Sequence, residues 1–382
     1  LECVDICADA NNAYMEMVRR VYQSDAPTKD QLFADWTQQE LDMLMAYTEQ
    51  IMLLQKRNSE ILVEYQALED RTSDQMIPLY IEIVKNNTRM AQIYGFTNYY
   101  EYAFELGYER DYGVRELQLM RTYVAKHLAP IYENAYNAFA ITYNDMSYED
   151  QNTIASFLSA NYTQLDKPYF TNYLATLPED MAQTMGQALD ETNSYFTDHP
   201  NAYEGAFTTQ IGEQSFCFFG PGYNNSMTVA HELGHFYGSY YWDLDDMPLD
   251  LAETQSQGNE WLFTAFLKDQ LPEGTYKAYV SYKLYEVIAG TLVQLAVDAF
   301  EKAVYSHPDV ENLTQADFEL IMAEVAQAYG GIQFFNDNIT DLQSYWKMVV
   351  VESPVYYISY AVSSMAALNI YTLATENREE AT

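Results

Sequence analysis

The chain of 382 residues is 48% apolar, enough to fill the core of one large domain or of two to three ordinary ones. Its 56 acidic against 19 basic residues give a net charge of −37, which repels phosphate backbones and anionic lipid. That balance speaks against nucleic acid and membrane partners, suits a neutral or cationic ligand, and otherwise keeps the surface solvated.

The three cysteines, Cys3, Cys7 and Cys217, define no disulfide framework. No apolar run is long enough to span a bilayer and no signal-peptide pattern is present, so the residues given are expected to be soluble and not inserted in a membrane.

Most of the chain reads as helix. Thr37-Gln-Gln-Glu40 forms a capping box, and Leu41, Leu44, Met45, Tyr47, Ile51, Leu54, Ile61, Leu62, Tyr65 and Leu68 behind it keep a helical apolar spacing, which predicts one long helix. A second helix fits Met76 to Tyr94, closed by Gly95, and a third fits Val114 to Tyr143. Shorter helices follow from Tyr148 and from Pro178, the proline falling in a first turn.

Between about Asp198 and Gly222 glycine and proline accumulate, and "AFTTQIGEQSFCFFG" alternates as a strand or hairpin does. Gly212 to Gly220, with Phe216, Phe218 and Phe219, is expected to be an edge strand that receives an extended peptide through main-chain pairing. Helices resume over Asn225 to Trp242, Leu249 to Leu271, Tyr276 to Tyr305, Thr314 to Tyr329 and Tyr356 to about Glu376. With no internal repeat and no low-complexity linker, the expected architecture is a single mainly α domain over 1–382. Its two packed lobes are expected to divide near residues 197 and 198, the second carrying the functional site.

In "VAHELGHFYGSYY", residues 229–241, His231 and His235 lie four apart and project from one side of a helix, with Glu232 flanking them. Two imidazoles so placed can hold one zinc ion, while Glu232 is within reach of a water. A catalytic zinc needs a third protein ligand. The downstream candidates are Asp243, Asp245, Asp246, Asp250, Glu253 and Glu260. The first three sit in the turn "DLDDMP", whereas Glu253 lies one turn into a helix that can pack across the first. Glu260, seven residues on and on the same face, can hydrogen-bond a ligand histidine and fix its tautomer.

These residues resemble the oligoendopeptidase F and thimet oligopeptidase metallopeptidases. The likeness rests on "MTVAHELGHFYGSYY" followed by "LDLAETQSQGNEW", where that family has His-Glu-x-x-His and then Glu-x-x-Ser-x-x-x-Glu; Glu253, Ser256 and Glu260 match. It extends more weakly to "MAQIYGFTNYYEYAF", "APIYENAY" and "EGAFTT", and covers roughly residues 75–370. The resemblance implies a large helical metallopeptidase fold of two lobes around a substrate channel, with one small hairpin or sheet. It implies one zinc ion on His231, His235 and Glu253, Glu232 as general base, and short unstructured oligopeptides as substrates.

One departure stands out. The family carries a histidine, after a tryptophan and ahead of a tyrosine cluster, that helps stabilise the tetrahedral intermediate. Here the stretch after Trp346 reads "KMVVVESPVYYISYAVSS", with no histidine near Val350. Tyr356, Tyr357 and Tyr360 match the cluster. Tyr357 and Tyr360, three apart, are expected to share a helix face from which a phenol can donate to an oxyanion, and Tyr356 to line the substrate site. Losing one such donor commonly lowers turnover about a hundredfold to a thousandfold, so the expected function is a zinc endopeptidase of short peptides, and the alternative is a weak or silent peptide-binding homologue that keeps the zinc site. Family members are often cytoplasmic, while the acidic composition also suits a secreted or surface-attached protein; compartment and oligomeric state stay open.

Overall fold

A computed structural model describes residues 2–47, 49–68, 72–158, 167–190, 192–200, 202–203, 205–211, 214–241, 248–329 and 353–376. In chain order the helices are α1 (Glu2–Gln23), α2 (Lys29–Leu32), α3 (Gln38–Ala46), α4 (Glu49–Gln66), α5 (Ser73–Ile93), α6 (Tyr99–Tyr102), α7 (Val114–His127), α8 (Tyr132–Asn144), α9 (Tyr148–Leu158), α10 (Lys167–Leu174) and α11 (Glu179–Ala188). Three strands follow, β1 (Ser194–Phe196), β2 (Ala206–Ile211) and β3 (Gln214–Phe219). The chain then returns to helix in α12 (Ser226–Tyr241), α13 (Leu249–Leu267), α14 (Glu273–Tyr305), α15 (Gln315–Tyr329) and α16 (Ile358–Glu376). The mainly α character with one small sheet follows the expectation. No helix among the described residues is long and apolar enough to cross a membrane.

The chain forms two compact units, one of residues 1–113 and 296–357, the other of residues 114–295 and 358–382. The division anticipated near residue 197 lies inside the second unit.

In the first unit the capping box forms: Thr37 Oγ1 accepts the Glu40 N–H at 3.2 Å while the Glu40 carboxylate accepts the Thr37 N–H. The long helix expected behind it is instead two, because Tyr47 turns extended (φ −66°, ψ 106°) and ends α3. Its carbonyl accepts from Arg19 Nη1 at 2.9 Å and its hydroxyl meets Asn12 and Gln55. Tyr47 and Ile51 still bury in one cluster with Met90, which is why the apolar spacing runs unbroken across the bend. Arg57 then ties α4 to α5, its Nε and Nη2 donating to the two oxygens of Glu82 at 2.7 and 3.0 Å.

In the second unit the expected helix from Val114 to Tyr143 is also two. Pro130 lacks an N–H and clashes with the preceding turn, so a 3₁₀ turn over Ala129–Ile131 separates α7 from α8. The sheet order is β1-β3-β2, with β1 parallel and β2 antiparallel to β3. Phe216, Phe218 and Phe219 therefore lie on the central strand, and the edge-strand expectation for that segment is corrected. β1 pairs Ser194 to Phe196 with Cys217 to Phe219, and three residues are too few to leave an alternating signature in the sequence. Phe219 is buried and stacks on Phe196 at 4.3 Å, while Phe218, on the other face, stacks on Phe207 at 5.1 Å.

The core of this unit gathers Phe170, Tyr173, Phe219, Leu233, Phe236, Phe263 and Phe266. Each such side chain contributes about 1.5–3 kcal/mol on burial. Helix α13 lies in this core between α12 and α16. Its approach to α12 is unusually close at Gly234, where a Cβ would stand 2.6 Å from both the Gln255 carbonyl oxygen and the Ser256 Cα. Main-chain atoms cannot yield as a side-chain tip can.

Gly234→Ala is therefore expected to lower stability by about 1–3 kcal/mol or more in thermal unfolding. Gly274→Ala, where a Cβ meets nothing within 4 Å at the start of α14, is expected to be neutral or stabilising by up to about 1 kcal/mol. An undiminished melting temperature for Gly234→Ala would show that the two helices are free to move apart.

Candidate metal centre

The stretch 225–241 forms a helix because Asn225 caps it, its Oδ1 accepting the N–H groups of Met227 and Thr228 at 3.0 Å each. One turn apart on α12, His231 and His235 then point the same way. The close contact at Gly234 brings α13 across them, and Glu253, 2% exposed, enters from that helix.

Three donor atoms converge. His231 Nε2 lies 3.2 Å from His235 Nε2 and 3.4 Å from Glu253 Oε2, and His235 Nε2 lies 3.5 Å from Glu253 Oε2. Donors about 2.0–2.1 Å from a tetrahedral zinc ion stand about 3.3–3.4 Å from one another, so both the chemistry and the spacing of this set fit such an ion. Among the described residues it is the one group of three or more histidine, cysteine or acidic side chains that converges in this way. Asp250 lies in the first turn of α13 and outside the group; Asp243, Asp245 and Asp246 lie outside the described residues.

Neighbouring side chains hold the donors in place. Ser256 donates its hydroxyl to Glu253 Oε2 at 3.0 Å and sits three residues on, so it is aligned by the helix itself. Glu260 Oε1 lies 2.8 Å from His231 Nδ1. With the proton on Nδ1, Nε2 presents its lone pair to the cluster. The other oxygen of Glu260 pairs with the ammonium of Lys283 from α14. Asn259 adds a clamp on the backbone, its Nδ2 donating to the Ala230 carbonyl at 2.6 Å and its Oδ1 accepting from Tyr173.

Glu232 is 3% exposed and turns toward the sheet. Thr208 on β2 donates to its Oε2 at 2.7 Å, and Gln210, two residues along on the same face, donates to the Ser239 carbonyl at 2.7 Å. Burial opposes a charge on His231. The hydrogen bond to Glu260 and the charges of Glu253, Glu260 and Glu232 outweigh it and raise its pKa to about 9 when no metal competes for the ring. Burial likewise works against ionised Glu260, and Lys283 followed by His231 brings its pKa below the ordinary value.

The tyrosines fall out differently. Tyr360 is on the first turn of α16, and its carbonyl accepts from Gln257 Nε2 at 3.4 Å, which sets that turn against the face of α13 next to Glu253. α16 begins at Ile358, so Tyr357 is the residue directly before its first turn. Tyr356 and Tyr357 belong to the first unit, where the Tyr356 ring meets Tyr108 at 6.2 Å. Trp346 and Val350 lie outside the described residues. Thr208, Asn259 and Lys283 were not singled out by motif. Only Thr208 carries a sequence signal, the alternation of β2.

Several solved structures share this arrangement of helices. A Pz peptidase A solved with an inhibitor matches 99% of this chain over 78% of its own, with a TM-score of 0.75 and 18% identity. A protein assigned as an oligoendopeptidase F matches 99% over 77% at TM-score 0.75 and 17% identity. Another assigned to the same family, from Bacillus anthracis str. Ames, matches 99% over 76% at TM-score 0.71 and 17% identity. The chain has the oligoendopeptidase F fold. This is the family that the sequence motifs resemble. No family model and no curated protein sequence matches the chain.

A protonated His231 is favoured in the folded metal-free protein, with a pKa about 9 against about 6.5 in the unfolded chain. Its contribution to stability is complete below pH ~6.5 and is lost as pH rises through that folded value. Chelator-treated protein should therefore melt at lower temperature above pH ~9 than near pH ~6, with a His231→Gln variant showing a flatter profile. Equal profiles for the two proteins would contradict the assignment of the shift to this ring.

Proposed function

We propose that the chain is a zinc-dependent endopeptidase acting on short oligopeptides. The observation that carries this reading is the tetrahedral spacing of three donor atoms, two on partly exposed imidazoles and one on a buried carboxylate, beside a further buried group, Glu232, suited to move a proton. The peptidase names of the structures with this fold support it.

In this reading His231, His235 and Glu253 hold the ion, which supplies Lewis acidity to the attacking water and the scissile carbonyl. Glu232 takes the proton from that water and returns it to the leaving amine. Thr208 holds Glu232 Oε2, so the carboxylate keeps one orientation through both transfers. The phenol of Tyr360 donates to the oxyanion, with Gln257 holding the turn from which it projects.

The peptide pairs with β2 and not with β3. Pairing β3 on both sides leaves β1 and β2 as the outer strands of the sheet among the described residues, and of these two β2 carries Thr208, which already touches Glu232. A substrate laid along β2 must be extended, which selects short unstructured peptides over folded proteins. Phe218 and Phe207 form an aromatic ledge beside that strand, while Phe219 faces the core.

Glu232→Gln keeps the shape and removes the base. It is expected to slow cleavage of a quenched fluorescent peptide mixture by about a hundredfold to ten thousandfold while zinc content stays at one ion per chain. A chelator should abolish cleavage and added zinc restore it. Cleavage by Glu232→Gln at the unaltered rate would rule out this role, and a purified protein that binds no zinc would rule out the reading as a whole.

Thr208→Val, nearly the same shape without the donor, should lower kcat about tenfold or more with KM little changed, and Thr208→Ser should recover most of the loss. An equal loss in the serine and valine variants would mean that the methyl packing of Thr208, and not its hydroxyl, is what matters.

A further inference from the structure

Resting on the zinc-site reading above, we infer that Lys283 is a positioning residue of the metal centre, acting through Glu260 to hold the His231 ring in its coordinating orientation. Lys283 lies on α14, 23 residues beyond Glu260 in the chain, and no motif includes it. Its side chain is only 9% exposed, a costly place for an ammonium unless it is paired. Two carboxylates face it: Glu260, with which it forms an ion pair, and Glu286 on its own helix, whose pKa burial pushes up and Lys283 draws down. The ring of Trp261 lies 5.9 Å from its nitrogen on another side.

The geometry decides what the pair does. Glu260 gives one oxygen to Lys283 and the other to His231 Nδ1, at 2.8 Å. Turning the carboxylate would break both contacts together, so the ammonium on one side fixes the acceptor on the other. The acceptor in turn fixes the plane of the imidazole, and with it the direction of Nε2 toward His235 Nε2 and Glu253 Oε2. Without Lys283 the Glu260 carboxylate has one polar partner fewer in a site that is 13% exposed, and the His231 ring is freer to rotate off the cluster.

A competing account is that Lys283 only neutralises a buried charge and joins α13 to α14. Zinc affinity separates the two. The full chain is titrated with zinc against a chromophoric chelator as the unaltered protein and as K283M, K283R, E260Q and the E260Q/K283M double variant, each also followed by thermal unfolding without metal. K283M is expected to bind zinc about tenfold to hundredfold more weakly, and K283R, which keeps the charge, only a few fold more weakly. The double variant should bind no more weakly than E260Q alone, because Lys283 acts through Glu260.

Zinc affinity unchanged in K283M, or a loss that adds in full to that of E260Q, overturns the inference while leaving the metal site intact. If K283M does not fold, the double variant carries no unpaired carboxylate at Glu260 and decides with K283R: a double variant weaker than E260Q by the tenfold or more expected of Lys283 overturns it. An unaltered protein that binds no zinc overturns the site reading and this inference together.

Discussion

The close approach of α12 to α13 is the constraint on which the site depends. A helix offers two histidines to one side readily, since four residues make just over one turn. A third donor must come from elsewhere in the chain, and its carboxylate reaches the imidazole nitrogens only if the two backbones nearly touch. Gly234 allows this by having no side chain where the Gln255 carbonyl and Ser256 Cα stand. The contact is then reinforced from both ends: Asn259 bonds the Ala230 carbonyl across the interface, and α16 runs along the other side of α13. Packing and chemistry thus use the same few residues, and a change that loosens one loosens the other.

Charge shows why the arrangement asks for a cation. Glu232, Glu253 and Glu260 bring three carboxylates into a largely buried region and Lys283 brings one ammonium, so with neutral imidazoles the formal sum is three negative against one positive. Burying a net double negative charge is costly, and a divalent ion at the centre would cancel it. The raised pKa of His231 is the same imbalance met in another way, since in the absence of metal the site draws in a proton. Hydrogen bonds distribute the remaining burden. Thr208 donates to Glu232, Ser256 to Glu253 and Lys283 to Glu260, so each carboxylate has a donor of its own.

The parts of the site that could be read from the sequence are those governed by helical repeat. His231, His235, Glu253, Ser256 and Glu260 are separated by spacings that α12 and α13 convert directly into shared faces. Lys283 and Thr208 reach the site from 23 residues after Glu260 and 24 before Glu232, distances at which periodicity says nothing. The strand order escaped for a similar reason, because β1 is three residues long and pairs in parallel with a strand that comes after the intervening β2. Helix ends split into two kinds. The break at Pro130 is written in the sequence and follows from its missing N–H. The break at Tyr47 is not, since the bend is supported by Arg19 from another helix and the apolar spacing carries on through it.

The first unit holds a strained residue just before α16 begins. Val355 has φ 63°, a left-handed conformation that a β-branched side chain adopts at a cost of about 1–3 kcal/mol. Such strain persists only where the surroundings leave the backbone no alternative. Here the Val355 N–H donates to Glu301 Oε1 at 2.7 Å and its carbonyl accepts from Arg110 Nη2 at 2.9 Å, so a carboxyl and a guanidinium grip the two sides of one residue. Burial pushes the Glu301 carboxyl up to about 8, against the lowering effects of that N–H and of Arg110, so the carboxyl is kept there at a cost in stability of its own. Tyr108 adds a bond from its hydroxyl to the neighbouring Pro354 carbonyl at 2.9 Å. Three side chains therefore fix the course of two residues. A chain free to relax would place Val355 in the extended region, so the direction in which the backbone leaves Val355 toward Tyr356 and Tyr357 is set by these tertiary contacts and not by local preference.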